Sequence, residues 1–206
     1  MTLPNDSVLV TPGVGATVAT HLVSGKEYQV MMEADALGHI KGSRADFLVF
    51  FTPATNAANR RVGDLFNADA TGVVVRVQGI WIMPTLTGIT GVQIGFGIKR
   101  TSAVGTGGTV VTPRPLDTTY AALDADITAR AGATGGATAV YTYFQQHFFN
   151  DETNAGAGIV GLVNCLPVIS DKTVEIVLRQ NEGLLIQQDV SATVGLTGAL
   201  VYFVVE

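Results

Sequence analysis

Apolar and polar residues alternate along most of this chain with a period of two. In "VQIGFGIK", Val92, Ile94, Phe96 and Ile98 alternate with Gln93, Gly95, Gly97 and Lys99. Successive strand side chains point to opposite faces, so this spacing predicts a strand with one buried face. In "VVVRVQGIWIM" the same spacing predicts one face carrying Val75, Val77, Trp81 and Met83. Val174, Ile176 and Leu178 alternate with Glu175, Val177 and Arg179, and "GALVYFVVE" sets Ala199, Val201, Phe203 and Val205 on one side. "RADFLVFF" and "LLIQQDV" are further β-rich runs. Gly, Pro, Asn, Asp and Thr separate these runs, and the pattern predicts an all-β fold, a jelly-roll-like β-sandwich.

Helical spacing is rare. "TTYAALDADITAR" has Tyr120, Leu123 and Ile127 on one helical face with Thr119 as a cap, which predicts one short helix. "VYTYFQQHFF" fits either period, and its aromatic content favours a strand. The start of the chain differs: "VTPGVGATVATHLVSGKEYQVMMEADALGHIKG" carries turn signals every few residues and no long apolar face. Residues 1–43 are therefore expected to form an extended N-terminal arm with short strands, and residues 44–206 the sandwich body.

Composition shifts attention to the surface. Of 206 residues, 47% are hydrophobic and 14% charged, against about a quarter charged in an ordinary soluble domain. With a mean hydropathy of +0.36, the exterior suits burial against neighbouring subunits. The uncharged stretch from Val77 to Ile98 contains Pro84 and five glycines, which does not suit a membrane-spanning helix. A net charge of −5, with Arg60 and Arg61 the closest thing to a basic cluster, argues against nucleic-acid binding, which needs clustered cations. "MTLPNDSVLV" lacks the basic and apolar regions of a secretory signal, and a single cysteine rules out an internal disulfide framework; both lead to the expectation of a chain made in a reducing cytoplasm.

The chemical motifs fail one by one. The glycines of "TSAVGTGGTVV" (residues 101–111) have no following lysine, as a phosphate loop needs, and Pro113 and Pro115 bar the helix a dinucleotide site requires. His21, His39 and His147 stand far apart. Asp124 and Asp126 lack the glycine and distal glutamate of an EF-hand loop. Cys165 lies among apolar residues, the setting of an inert thiol. Asp151 and Glu152 are the one acidic pair that a hydrolase reading could use. No cofactor, metal or catalytic residue is expected.

Three segments, taken in order, resemble structural proteins of tailed bacteriophages. The first is "TPGVGATVATHLVSGKEYQVMMEADALGHI", with Pro12, Gly13, Gly15, Ala16, Thr17, Val18, Ala19, Thr20, Gly25, Tyr28 and Gln29 matching. The second is "LFNADATGVVVRVQGIWI" followed by "IKRTSAVGTGGTVVTPRPLDT". The third is "LRQNEGLLIQQDVSATVGLTGALVYFVVE". The resemblance implies a jelly-roll-like virion component without catalytic residues.

On that resemblance the expected function is capsid decoration (cement). The protein would sit on the capsid exterior as a homo-oligomer, a trimer being the expected form, bound to the major capsid protein. Its expected contacts are Pro12, Gly13, Val18, His21, Tyr28, Gly105, Gly107 and Gly108. The competing expectation is a head or tail fibre or appendage module for host recognition or fibre attachment. It would use Tyr120, Tyr141, Tyr143 and the 150–158 loop.

Overall fold

A computed structural model describes residues 20–23, 26–29, 45–86, 92–118, 122–150, 158–159, 163–166, 168–169, 172–189 and 195–206. The chain divides into two compact units, Met1–Gly42 and Ser43–Glu206. In the first, β1 (Thr20–Val23) and β2 (Lys26–Gln29) form an antiparallel hairpin.

The second unit begins with β3 (Ala45–Thr55), β4 (Arg61–Asn67), β5 (Val75–Leu86) and β6 (Val92–Thr101). Short strands follow: β7 (Gly105–Thr106), β8 (Thr109–Val111), β9 (Arg114–Pro115), β10 (Ile127–Ala131) and β11 (Gly135–Gly136). Then come β12 (Ala139–Asn150), β13 (Gly158–Ile159), β14 (Val163–Asn164), β15 (Val168–Ile169) and β16 (Lys172–Thr173). β17 (Ile176–Leu178), β18 (Glu182–Gln188) and β19 (Gly195–Val205) close the chain.

These strands build an antiparallel, jelly-roll-like sandwich. One sheet has the order β12-β6-β18-β4-β10-β8, and the other β13-β5-β19-β3-β9, with β14 and β17 also on β5. The pairs β4–β18, β5–β17, β6–β12 and β8–β10 nest inside one another along the sequence. Nested antiparallel pairs mean that one long hairpin has been rolled into two layers, which defines the jelly roll.

The alternating residues meet between the layers. Phe47, Val49 and Phe51 of β3, Val75 and Val77 of β5, and Ala199, Val201 and Phe203 of β19 are buried there. Facing them are Leu65, Ile94, Phe96, Ile98, Leu184 and Ile186. Phe47 stacks on Phe203 with ring centroids 5.6 Å apart. Phe51 crosses the layer so closely that a Cβ on Gly63 would lie 2.4 Å from its ring, so glycine there allows the approach.

Two expectations need correction. Val75 and Val77 are core residues, but Trp81 and Met83 are not on their face; Ile80 and Ile82 take the buried positions. The cause is a bulge: Tyr202 pairs with Gly79 and Phe203 with Val77, leaving Gln78 as the extra residue. One inserted residue exchanges the faces of all that follow. The expected helix around Tyr120–Ile127 is also overturned. Among the described residues there is no helix; Ile127 opens β10, pairing with Asn67 of β4. Strand pairing on both sides of β10 outweighs the weak local helical period. The strand reading of "VYTYFQQHFF" holds, as β12.

Candidate assembly surface

The bulge at Gln78 puts Trp81 and Met83 on the solvent side of β5, beside the outward residues of β19 and β3. On β3, Leu48, Phe50 and Thr52 alternate with the buried Phe47, Val49 and Phe51, so they face outward. β19 pairs Leu200 with Phe50 on one side and Trp81 on the other. Phe50, Leu200 and Trp81 therefore form a row across three strands. The Trp81 indole lies over the backbone of Gly79, where a Cβ would come within 2.3 Å of the ring. Beside this row a groove of about 600 Å³ is lined by Leu48, Phe50, Val110, Val111, Arg114 and Leu200. Phe50 is 47% exposed, Val110 60% and Leu196 44%. At the rim, Asp46 accepts a hydrogen bond of 3.0 Å from the Tyr202 hydroxyl.

The long strand β12 forms the edge of the other sheet and has no Lys, Arg, Asp or Glu in its sequence. Charges usually protect such edges from pairing with other chains. The pairing of β12 with β6 carries two irregularities, at Ala139/Tyr141 and Thr142/Phe144. Tyr141 and Tyr143 meet edge to face, with centroids 5.0 Å apart. The Tyr143 hydroxyl accepts from Arg100 at 2.9 Å, and Arg100 also pairs with Glu182.

The glycine segment is a flap. β7 pairs with β11, Gly136 opposite Gly105, and together they cover part of the outer face of the six-stranded sheet. Gly107 and Gly108 have φ of +69° and +65°, where a side chain would be strained. Gly105 is buried for a different reason: a Cβ there would lie 2.2 Å from an Asp64 carboxylate oxygen. Of the other expected contact residues, His21 stands opposite Tyr28 in the β1–β2 hairpin. Pro12, Gly13 and Val18 lie outside the described residues, as do Tyr120, Asp151 and Glu152.

Among the described residues, several groups that could carry chemistry have structural roles. Asp69, Asp124 and Asp126 each bring an oxygen within 4.8 Å of the others, a spacing a cation could bridge. One Asp69 oxygen, however, accepts from the Thr71 hydroxyl and amide at 2.7 Å and from the Val73 amide at 3.3 Å. The Thr71 hydroxyl above all holds the Asp69 carboxyl below the usual carboxylate range. Asp124 caps its own turn by accepting from the Asp126 amide at 2.8 Å. Cys165 is buried, and burial pushes its thiol up to about 11, so it stays protonated at neutral pH. Arg60 and Arg61 line a cleft of about 500 Å³. Their guanidiniums donate to the Thr55 and Gly135 carbonyls.

No family model, curated protein or solved structure matches the chain.

Alternation made the core legible but concealed the outward row. Phe50 and Leu200 occupy the polar slots of their strands, and the only sequence sign that Trp81 faces out is Gly79, a glycine inside a strand. Asp64 was missed because a lone acidic residue in "RVGDLFN" carries no motif.

Proposed function

We propose that this is a non-enzymatic structural protein of a bacteriophage virion, and specifically a capsid decoration (cement) protein. It works as a homo-oligomer that docks on the major capsid protein. The observation that supports this reading is the outward Phe50–Leu200–Trp81 row with its adjoining groove. An apolar face of this kind on a chain with few charges fits a surface covered by neighbours. The phage assignment itself rests on the three resembling segments. Quantitative mass spectrometry of purified particles from cells that encode the chain tests it. Copies in the hundreds per particle support shell decoration, and absence from particles refutes it.

The paired rings of Tyr141 and Tyr143 beside Arg100 favour a second reading, an appendage module that recognises host saccharide. Aromatic rings with polar tips suit sugars. Specific glycan binding lost in Tyr141→Ala, together with about a dozen copies per particle, would establish it in place of the first.

A further inference from the structure

Asp64 is a carboxylate in an unusual position. It lies near the middle of β4 with neighbours on both sides, Arg130 of β10 directly opposite and Leu185 of β18 on the other flank. Only 3% of it is exposed, and neither oxygen has a hydrogen-bond partner. What covers it is the β7–β11 flap: Gly105 lies against the carboxylate, and Ala133 packs beside Gly105.

Two cations face the group, and both are turned toward the flap. Arg61, on Asp64's own strand, donates to the Gly135 carbonyl at 2.6 Å. Arg130 donates to the Gly107 carbonyl at 3.4 Å, while its buried Nε has no partner. β18 offers Leu185, and on the next strand Lys99 is committed to Gln187 at 2.8 Å. The flap contributes only the Gly105 backbone amide, which lies outside full hydrogen-bond geometry and favours the anion weakly.

We propose that Asp64 is a proton-operated catch for the glycine flap: neutral, it lets the flap close over the sheet, and ionised, it releases it. A buried anion without hydrogen bonds is costly, whereas a neutral carboxyl is far less so. Opening admits water to the carboxylate. It also frees Arg61 and Arg130 from the flap carbonyls to pair with Asp64. Burial, opposed by Arg130 and then Arg61, raises the Asp64 carboxyl to about 6, which places the transition within an accessible pH range. The flap is held by hydrogen bonds that report on it, Thr134 N–H to Thr106 O at 2.9 Å and Ala137 N–H to Val104 O at 3.1 Å.

Amide hydrogen exchange on the full chain tests this, with rates corrected for intrinsic base catalysis. From pH 5.0 to 7.5 the Thr134 and Ala137 amides should exchange about tenfold faster, the ratio that follows when the closed flap raises an ordinary carboxyl by about two units. Core amides of β19 should exchange far more slowly than these at every pH, because the flap opens without global unfolding. Asp64→Asn should remove the pH dependence. A pH-independent flap, or one with the same pH dependence in Asp64→Asn, overturns the proposal. A ¹³C carboxyl titration of the unaltered protein gives an independent reading, whether or not the variant folds. An Asp64 midpoint near 6 that moves up in Arg130→Gln supports the catch, and a midpoint in the ordinary range near 4 overturns it.

Discussion

Leu200 of β19 lies directly opposite Phe50 of β3, and both side chains point away from the core. The next residue, Phe51, points inward and is 1% exposed. Adjacent phenylalanines thus serve opposite faces, and their truncations should separate cleanly. Phe51→Ala should destabilise the fold by about 3–5 kcal/mol through the cavity it leaves. Phe50→Ser should change stability by no more than about 0.5 kcal/mol. Chemical denaturation of the two variants checks the contrast.

Arg76 and Glu206 form a 2.7 Å ion pair in which the side chains are only 7% and 5% exposed, and Glu175 joins it at 3.2 Å. The pair ties the last residue described to β5. Removing Glu206 takes away the nearer and more buried carboxylate partner of Arg76, while Glu175 stays at 3.2 Å. Glu206→Ala should therefore cost about 2 kcal/mol, and Glu175→Ala, at the more exposed rim, less than about 1 kcal/mol. Thermal unfolding at neutral pH measures both.

Asp64 makes stability itself depend on pH. Its carboxyl is raised in the folded protein, to about 6 from an ordinary 3.8. The folded state therefore holds a proton that the unfolded chain has already released between those values. The stabilisation is complete below about pH 4 and is lost as pH rises through about 6. In Asp64→Asn this loss should disappear, leaving the variant more stable than the parent by up to about 3 kcal/mol at pH 7.5. Urea titrations of both proteins at pH 4.5, 6 and 7.5 give the comparison.

Among the described residues, every pairing partner in the two large sheets lies between Ala45 and Val205. Removing residues 1–43 should then leave the β-rich far-ultraviolet circular dichroism and the cooperative unfolding transition intact. If the arm also contributes to docking, the truncated protein should lose saturation binding to capsid shells. Saturation at full-length levels would assign docking to the sandwich alone.

The core was readable because a half-buried strand repeats every two residues, and Ile94, Phe96, Ile98, Ala199, Val201 and Phe203 all obey that period. The order of strands was not readable, since pairs such as β4 with β18 join residues far apart in sequence. Trp81 and Met83 were misplaced because a bulge is one residue of backbone, without a side-chain signature beyond Gly79. Ile127 was misread because three apolar residues at helical spacing weigh little against strand pairing on two sides. The glycine segment was legible as a loop, but its reason for needing Gly105 lies in Asp64, 41 positions earlier.

The most direct test of assembly through the outward face is the mass of the particle in solution. Sedimentation equilibrium should be run on the full-length protein and on a Phe50→Asp, Leu200→Asp double variant whose fold is verified by its unfolding transition. The expected result is a discrete oligomer for the parent and a 21.5 kDa monomer for the variant. A parent that is monomeric at every concentration, or a folded variant that keeps the parent's mass, would contradict it.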